Sequence, residues 1–306
     1  GQPWSTDPWE TVERDGRLYG RGTSDMKTFV ALCLAAVPDF IAAKPKRPIH
    51  FAFSHDEEVG CVGVRSLIAQ LGARFPKPAL CIVGEPTDMA VVNAHKGIRS
   101  FRTEVTGREA HSSQTDKGVN AVMIAAELIM KLKSLADEMI ARGDPSGRFD
   151  PPYTSCQSST IEGGTALNIL ARHCRFQWEY RFIPDTDEFE IFNRFQDYVA
   201  SEILPRIRRI APEADIQTTI RSRVPPLKPE ADSPAETLAK RLAGQNGTEA
   251  VSYGTEAGLF QEVGIPTVIC GPGSIQQAHK PDEWIALSQI TLGEAFMKRL
   301  AMAVAG

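Results

Sequence analysis

Three short, nearly continuous apolar runs constrain this chain more than any other feature: residues 49–54 (IHFAFS), 79–84 (ALCIVG) and 267–270 (TVIC). Runs this short, closed by Gly or polar residues, fit strands covered on both faces. Strands of that kind need helices above and below. Helical patterns flank them at 26–43 (interrupted at Pro38), 59–71, 235–242 and 284–304. The alternation predicts an α/β domain, a mostly parallel sheet with helices on both faces.

The second and third runs are far apart, and the chain between them reads differently. Residues 100–106 (SFRTEVT) alternate in polarity, a long helix is predicted over 119–142, and strands over 155–161 and 174–182. A helix over 187–210 and a strand over 215–221 complete the order βαββαβ, which predicts an inserted α+β, ferredoxin-like domain. The Pro-rich segment 224–234 reads as the return linker. The predicted division is 1–95 with 225–306 for the α/β domain and 96–224 for the insertion.

Composition narrows the partners. The 306 residues carry 34 Lys and Arg against 38 Asp and Glu, a net charge of −4, and no basic run exceeds the pair Arg208 and Arg209. Nucleic acid and anionic membranes are therefore not the expected partners. The longest apolar stretches, 30–37 and 300–305, fall short of the ~20 residues that span a bilayer. Six scattered cysteines without a C-x-x-C pair read as reduced core residues of a cytoplasmic protein. The opening GQPWSTDPWE lacks the n-region and h-region of a signal peptide, and the chain reads as beginning in mid-domain.

Chemistry-bearing residues gather at predicted strand ends. Asp56, Glu57 and Glu58 directly follow the first run, Glu85 follows the second, and His279 lies beyond the third; Asp25 sits between a Gly-rich turn and a helix. Acids at a helix N-terminus complement its dipole, a purely structural use worth about 0.3–1 kcal/mol each. Ligand sites of open α/β sheets, however, lie at the carboxyl ends of the strands. Taken together, Asp25, Glu58, Glu85 and His279 offer three carboxylates and an imidazole, donors that suit Zn²⁺ or a similar ion. Glu57 is then placed to carry a proton without ligating.

The motifs GRGTSDMK, SHDEEVG, GEPTD, HKG, AHSS, EGGTALN, YRFIPD, YGTEAG and AHKPDEW, in this order, resemble the M20 metallopeptidase and amidohydrolase family over essentially the whole chain. The strongest likeness is to its acetylornithine deacetylase branch; succinyl-diaminopimelate desuccinylases and glutamate carboxypeptidases stay open as alternatives. The resemblance implies a phosphorylase/hydrolase-like catalytic domain with 96–224 as its dimerisation and lid domain, and two zinc ions per subunit, with cobalt as an alternative. Asp25 would bridge them and precede a cis peptide to Met26, Glu58 and His279 would complete one site, and Glu85 would belong to the other. It further implies Glu57 as the general acid/base. His111 would be an oxyanion donor reaching a neighbouring subunit of a homodimer. Asn168 and Arg181 would hold substrate, and Glu256 would receive a cationic amine. The implied reaction is hydrolysis of N2-acetyl-L-ornithine to L-ornithine and acetate, a step of arginine biosynthesis.

One departure matters. The family's first metal ligand, a His in an H-x-D segment, would lie before GQPWSTDPWE, and this chain has none there. The portion carrying it would be roughly 70–90 residues, of the order of two βαβ units. One site would keep Asp25, Glu58 and His279, and the other only Asp25 and Glu85, so about one zinc per chain is expected. A metal-binding or dimer-forming remnant without hydrolase activity is the rival reading.

Overall fold

The computed structural model describes residues 2–305. In chain order its elements begin with β1 (Val12–Arg14), β2 (Arg17–Tyr19), α1 (Lys27–Ala35), α2 (Val37–Ala43), α3 (Val64–Ile68), β3 (Cys81–Val83) and β4 (Val92–His95). There follow β5 (Gly97–Thr106), α4 (Ala121–Arg142), β6 (Ser155–Gly163), β7 (His173–Phe182), α5 (Glu190–Tyr198), α6 (Leu204–Arg208) and β8 (Asp215–Val224). The chain closes with α7 (Pro234–Ala243), β9 (Glu249–Val251), α8 (Ala257–Glu262), β10 (Thr267–Ile269), β11 (Trp284–Ala286) and α9 (Leu287–Val304). Two compact units result: one runs up to His95 and resumes at Leu227, and the other is Lys96–Pro226.

The first unit is α/β with a mixed sheet ordered β3-β10-β4-β9. β10 pairs parallel with β3 and antiparallel with β4, and β4 pairs parallel with β9. Helices α1, α2, α7 and α9 cover it through Leu32, Phe40, Leu242 and Phe296, which pack on Val91 and Val268. A separate antiparallel ribbon, β1-β2-β11, draws residues near the two ends of the chain together, with Trp284 opposite Tyr19. The Arg17 guanidinium lies 3.9 Å above the Trp284 ring centroid and fastens that pairing.

The second unit is an antiparallel sheet ordered β6-β7-β5-β8. Alternation along β5 and β7 buries Phe101, Val105, Phe176, Trp178 and Tyr180 on one face. Helix α4 lays Leu128, Leu132 and Leu135 on that face at helical spacing. Asn120 caps α4 by accepting from the amides of Val122 and Met123, and Gly143, with φ of 71°, ends it. Phe101 and Trp178 stack with centroids 4.2 Å apart, and the buried indole N–H donates to Thr103 at 3.0 Å.

Several local expectations are corrected. Residues 49–54 form no strand: they pair with no strand among the described residues, and Phe51 and Phe53 are exposed. An apolar run becomes a strand only when a neighbour supplies its hydrogen bonds. The helix expected over 59–71 shrinks to α3, because Gly60 and Cys61 take positive φ of 107° and 54°. The pattern at 26–43 breaks at Ala36, leaving Pro38 in the first turn of α2, where its missing N–H costs nothing. Residues 284–286, read as helix, are β11 instead. Over 187–210 the helix is interrupted by a π-helical turn, Val199–Ile203, beside Pro205, which has no N–H to donate. No helix among the described residues is long and apolar enough to cross a membrane.

Candidate metal centre

The first unit brings Asp25, Glu58 and His279 together, with donor atoms all within 4.8 Å of one another. His279 Nε2 lies 2.9 Å from Glu58 Oε1 and 3.4 Å from Asp25 Oδ2. Donors held at ~2.0–2.1 Å by a tetrahedral zinc ion lie ~3.3 Å apart, so the two edges that meet at His279 suit such an ion. Each donor arrives by a different local route. Asp25 closes the turn between β2 and α1 and is followed by a cis peptide to Met26. Glu58 precedes the left-handed residues at 60 and 61. His279 follows β10 and a 3-10 turn and itself has φ of 61°, in the left-handed region.

Glu85 follows the carboxyl end of β3, which runs parallel to β10. At those ends Gly271 passes so close to Gly84 that a Cβ on Gly271 would lie 2.2 Å from the Gly84 carbonyl oxygen. The buried Glu85 carboxyl lies close enough to Asp25 for each acid to disfavour the charged form of the other. Burial, then the charge of Asp25, pushes Glu85 well above the usual carboxylate range. Burial and the charge of Glu58 raise Asp25 in the same direction. Burial pulls the His279 imidazolium down, but the hydrogen bond and charge of Glu58 outweigh it and its pKa is raised. Uncompensated acids of this kind are what a divalent cation relieves.

Glu57 does not belong to the triangle. Burial pushes it up to about 7, against the lowering influence of the Cys61 thiol, which donates to its Oε1 at 3.4 Å. Glu256 caps the start of α8 and is buried, with its pKa raised by desolvation while a hydrogen bond from Ser54 opposes the shift. Its Oε1 is fully enclosed without a hydrogen-bond partner. Asp56 points elsewhere and pairs with the exposed His55 at 3.1 Å.

The remaining candidates lie in the second unit. His111 and Asn168 are neighbours there: the Ser112 amide donates to the Asn168 carbonyl at 3.0 Å, and Leu170 N donates to Ala110 O at 2.9 Å. The Ser113 amide donates to His111 Nδ1, which leaves Nε2 of the exposed ring as the N–H donor. Arg181 lies on β7, half-buried, with its Nε donating to Glu179 at 3.3 Å.

Two contributors escaped the sequence reading. Cys61 touches Glu57, and Glu283 is buried among the backbone amides that precede Asp25. Glu283 stands four residues beyond His279 inside the same AHKPDEW motif, a signal that was available. The six cysteines are all unpaired, and burial raises every one of their thiols, Cys33 to about 11.

Comparison with known proteins agrees with this geometry. Residues 1–303 match the model of peptidase family M20/M25/M40. An acetylornithine deacetylase of Photorhabdus laumondii is 33% identical over 94% of this chain and 72% of its own length. One from Myxococcus xanthus is 33% identical over 96% of this chain and 74% of its own. Among solved structures, a tripeptidase from Staphylococcus aureus superposes with a TM-score of 0.72 at 20% identity, covering 97% of this chain and 76% of that one. An M20 family metallo-carboxypeptidase from Sulfolobus solfataricus gives 0.71 at 17% identity, covering 98% and 81%. The three-donor triangle, the mixed α/β sheet that presents it and these relatives lead to one conclusion: the chain belongs to the M20/M25/M40 peptidase family of hydrolases.

Proposed function

We propose that this chain is a zinc-dependent amidohydrolase that converts N2-acetyl-L-ornithine and water to L-ornithine and acetate, in the cytoplasm and in service of arginine biosynthesis. The observation that carries the reading is the Asp25, Glu58 and His279 triangle with a proton-carrying Glu57 beside it. The 33% identity to acetylornithine deacetylases supports the substrate.

Asp25, Glu58 and His279 would hold the zinc, and Glu85, through Asp25, would serve a second cation. The ion supplies Lewis acidity and a nucleophile at neutral pH. Glu57 takes the proton of the attacking water on its carboxylate and delivers it to the departing amine nitrogen, so the acyl carbon gains oxygen as its bond to nitrogen breaks. The outward N–H of His111, brought by the partner of a homodimer, donates to the oxygen of the tetrahedral species. Arg181 and Asn168 hold the substrate carboxylate. Glu256, a buried acid at the start of α8, receives the side-chain ammonium.

The test is acetate release from N2-acetylornithine by the zinc-loaded chain, run beside N-succinyl-diaminopimelate and a dipeptide. Preference for acetylornithine supports the proposal, and preference for either competitor reassigns the substrate. Zinc uptake without turnover of any of the three would identify a metal-binding protein that does not hydrolyse.

A further inference from the structure

Glu283 is 1% exposed and its two oxygens accept four bonds. Oε1 takes the backbone amides of Ser24 at 2.9 Å and Asp25 at 3.0 Å. Oε2 takes the amide of Gly22 at 2.8 Å and the Arg21 guanidinium at 3.0 Å. A carboxylate has about four lone-pair positions, so all are used and none is left for a metal. The chemistry of this buried acid is therefore spent on the chain itself. Its four donors all belong to the five-residue turn that ends at Asp25, and Gly22, with φ of 82°, turns its N–H inward to join them. The same residue's carbonyl accepts from Gly20 N at 2.9 Å, and the next residue, Trp284, pairs with Tyr19. Glu283 thus fastens the segment carrying His279 to the segment carrying Asp25.

We propose that Glu283 is a positioning residue for the metal centre: it locks the 21–25 turn so that the Asp25 carboxylate faces His279 and Glu58. The inference rests on the reading of that triangle as a metal site. A converging set of amides such as this one is the arrangement that binds anions, and here the protein fills it with its own carboxylate. Residues that orient a metal ligand govern affinity without touching the ion.

The test is Glu283→Gln in the whole chain. Glutamine keeps the size of the side chain but replaces one oxygen by an NH₂ donor. In either orientation, one pair of donors among Arg21, Gly22, Ser24 and Asp25 loses its acceptor. Two quantities are read beside the thermal midpoint of the metal-free chain: zinc affinity by competition with a chelator, and hydrogen exchange at the amides of Gly22, Ser24 and Asp25. The proposal expects zinc affinity to fall by about 10–100-fold, with exchange faster at the Ser24 and Asp25 amides or at the Gly22 amide, according to which oxygen is replaced, and unchanged along α4. Zinc affinity within twofold of the parent chain overturns it, even if the thermal midpoint drops, because a merely structural role moves only stability. If the parent chain takes up no zinc, the metal reading fails. The exchange rates then decide alone, and unchanged exchange in Glu283→Gln overturns the locking role as well. Should Glu283→Gln not fold, Arg21→Met removes one donor of the four and is expected to weaken zinc by a smaller factor; no weakening overturns the proposal.

Discussion

His279 Nε2 and Glu58 Oε1 lie 2.9 Å apart although 221 residues separate them in the chain. Both side chains are more than half exposed, so the contact itself contributes little to stability. Its value is geometric, because with Asp25 it gathers three donor atoms within 4.8 Å of one another, close enough to share one ion.

Glu57→Gln should abolish acetylornithine turnover, lowering kcat by at least about 100-fold, while zinc content stays that of the parent chain. Atomic absorption beside a turnover assay checks both. Loss of zinc together with activity would mean that the roles of Glu57 and Glu58 are exchanged.

In the metal-free chain burial pushes Glu57 up from the ordinary carboxylate value of about 4.5 to about 7. The folded chain thus holds a proton between those pH values that the unfolded chain has released. The stability linked to Glu57 is fully present below about 4.5 and is lost as pH rises through about 7. A carbon-13 NMR titration of the Glu57 carboxyl should show a midpoint near the upper value. A midpoint near 4.5 contradicts the buried placement.

Leu135→Ala should destabilise the second unit by about 2–5 kcal/mol, since a fully buried leucine of α4 leaves a cavity against β5 and β7. Urea unfolding followed by the fluorescence of Trp178 measures it. A loss below about 1 kcal/mol would show that the helix repacks.

A homodimer interface on the outer face of α4, where Met123 and Met130 are 65% and 61% exposed, is the expected arrangement. Light scattering on the whole chain should give twice the chain mass, and Met123→Glu with Met130→Glu should halve it. A monomeric parent chain defeats the dimer.

What was legible in the sequence followed from local chemistry. Glu85 could be placed at a strand end because an acid directly follows the apolar run of β3, whereas Asp25 follows a Gly-rich turn and Glu58 follows residues 49–54, which form no strand. The buried face of α4 could be read because its leucines recur at helical spacing. Features set by distant partners could not. Residues 49–54 carry a strand pattern but pair with no described strand, and residues 284–286 carry a helical one but are captured by β2. Glu283 was passed over because its partners are backbone amides, which no side-chain pattern displays.

The central claim is that Asp25, Glu58 and His279 hold a metal ion, and zinc stoichiometry after dialysis tests it most directly. The account predicts close to one zinc per chain, most of it lost in His279→Ala and much less in Glu85→Gln. A parent chain that retains no zinc, or a His279→Ala chain that retains all of it, would contradict the account.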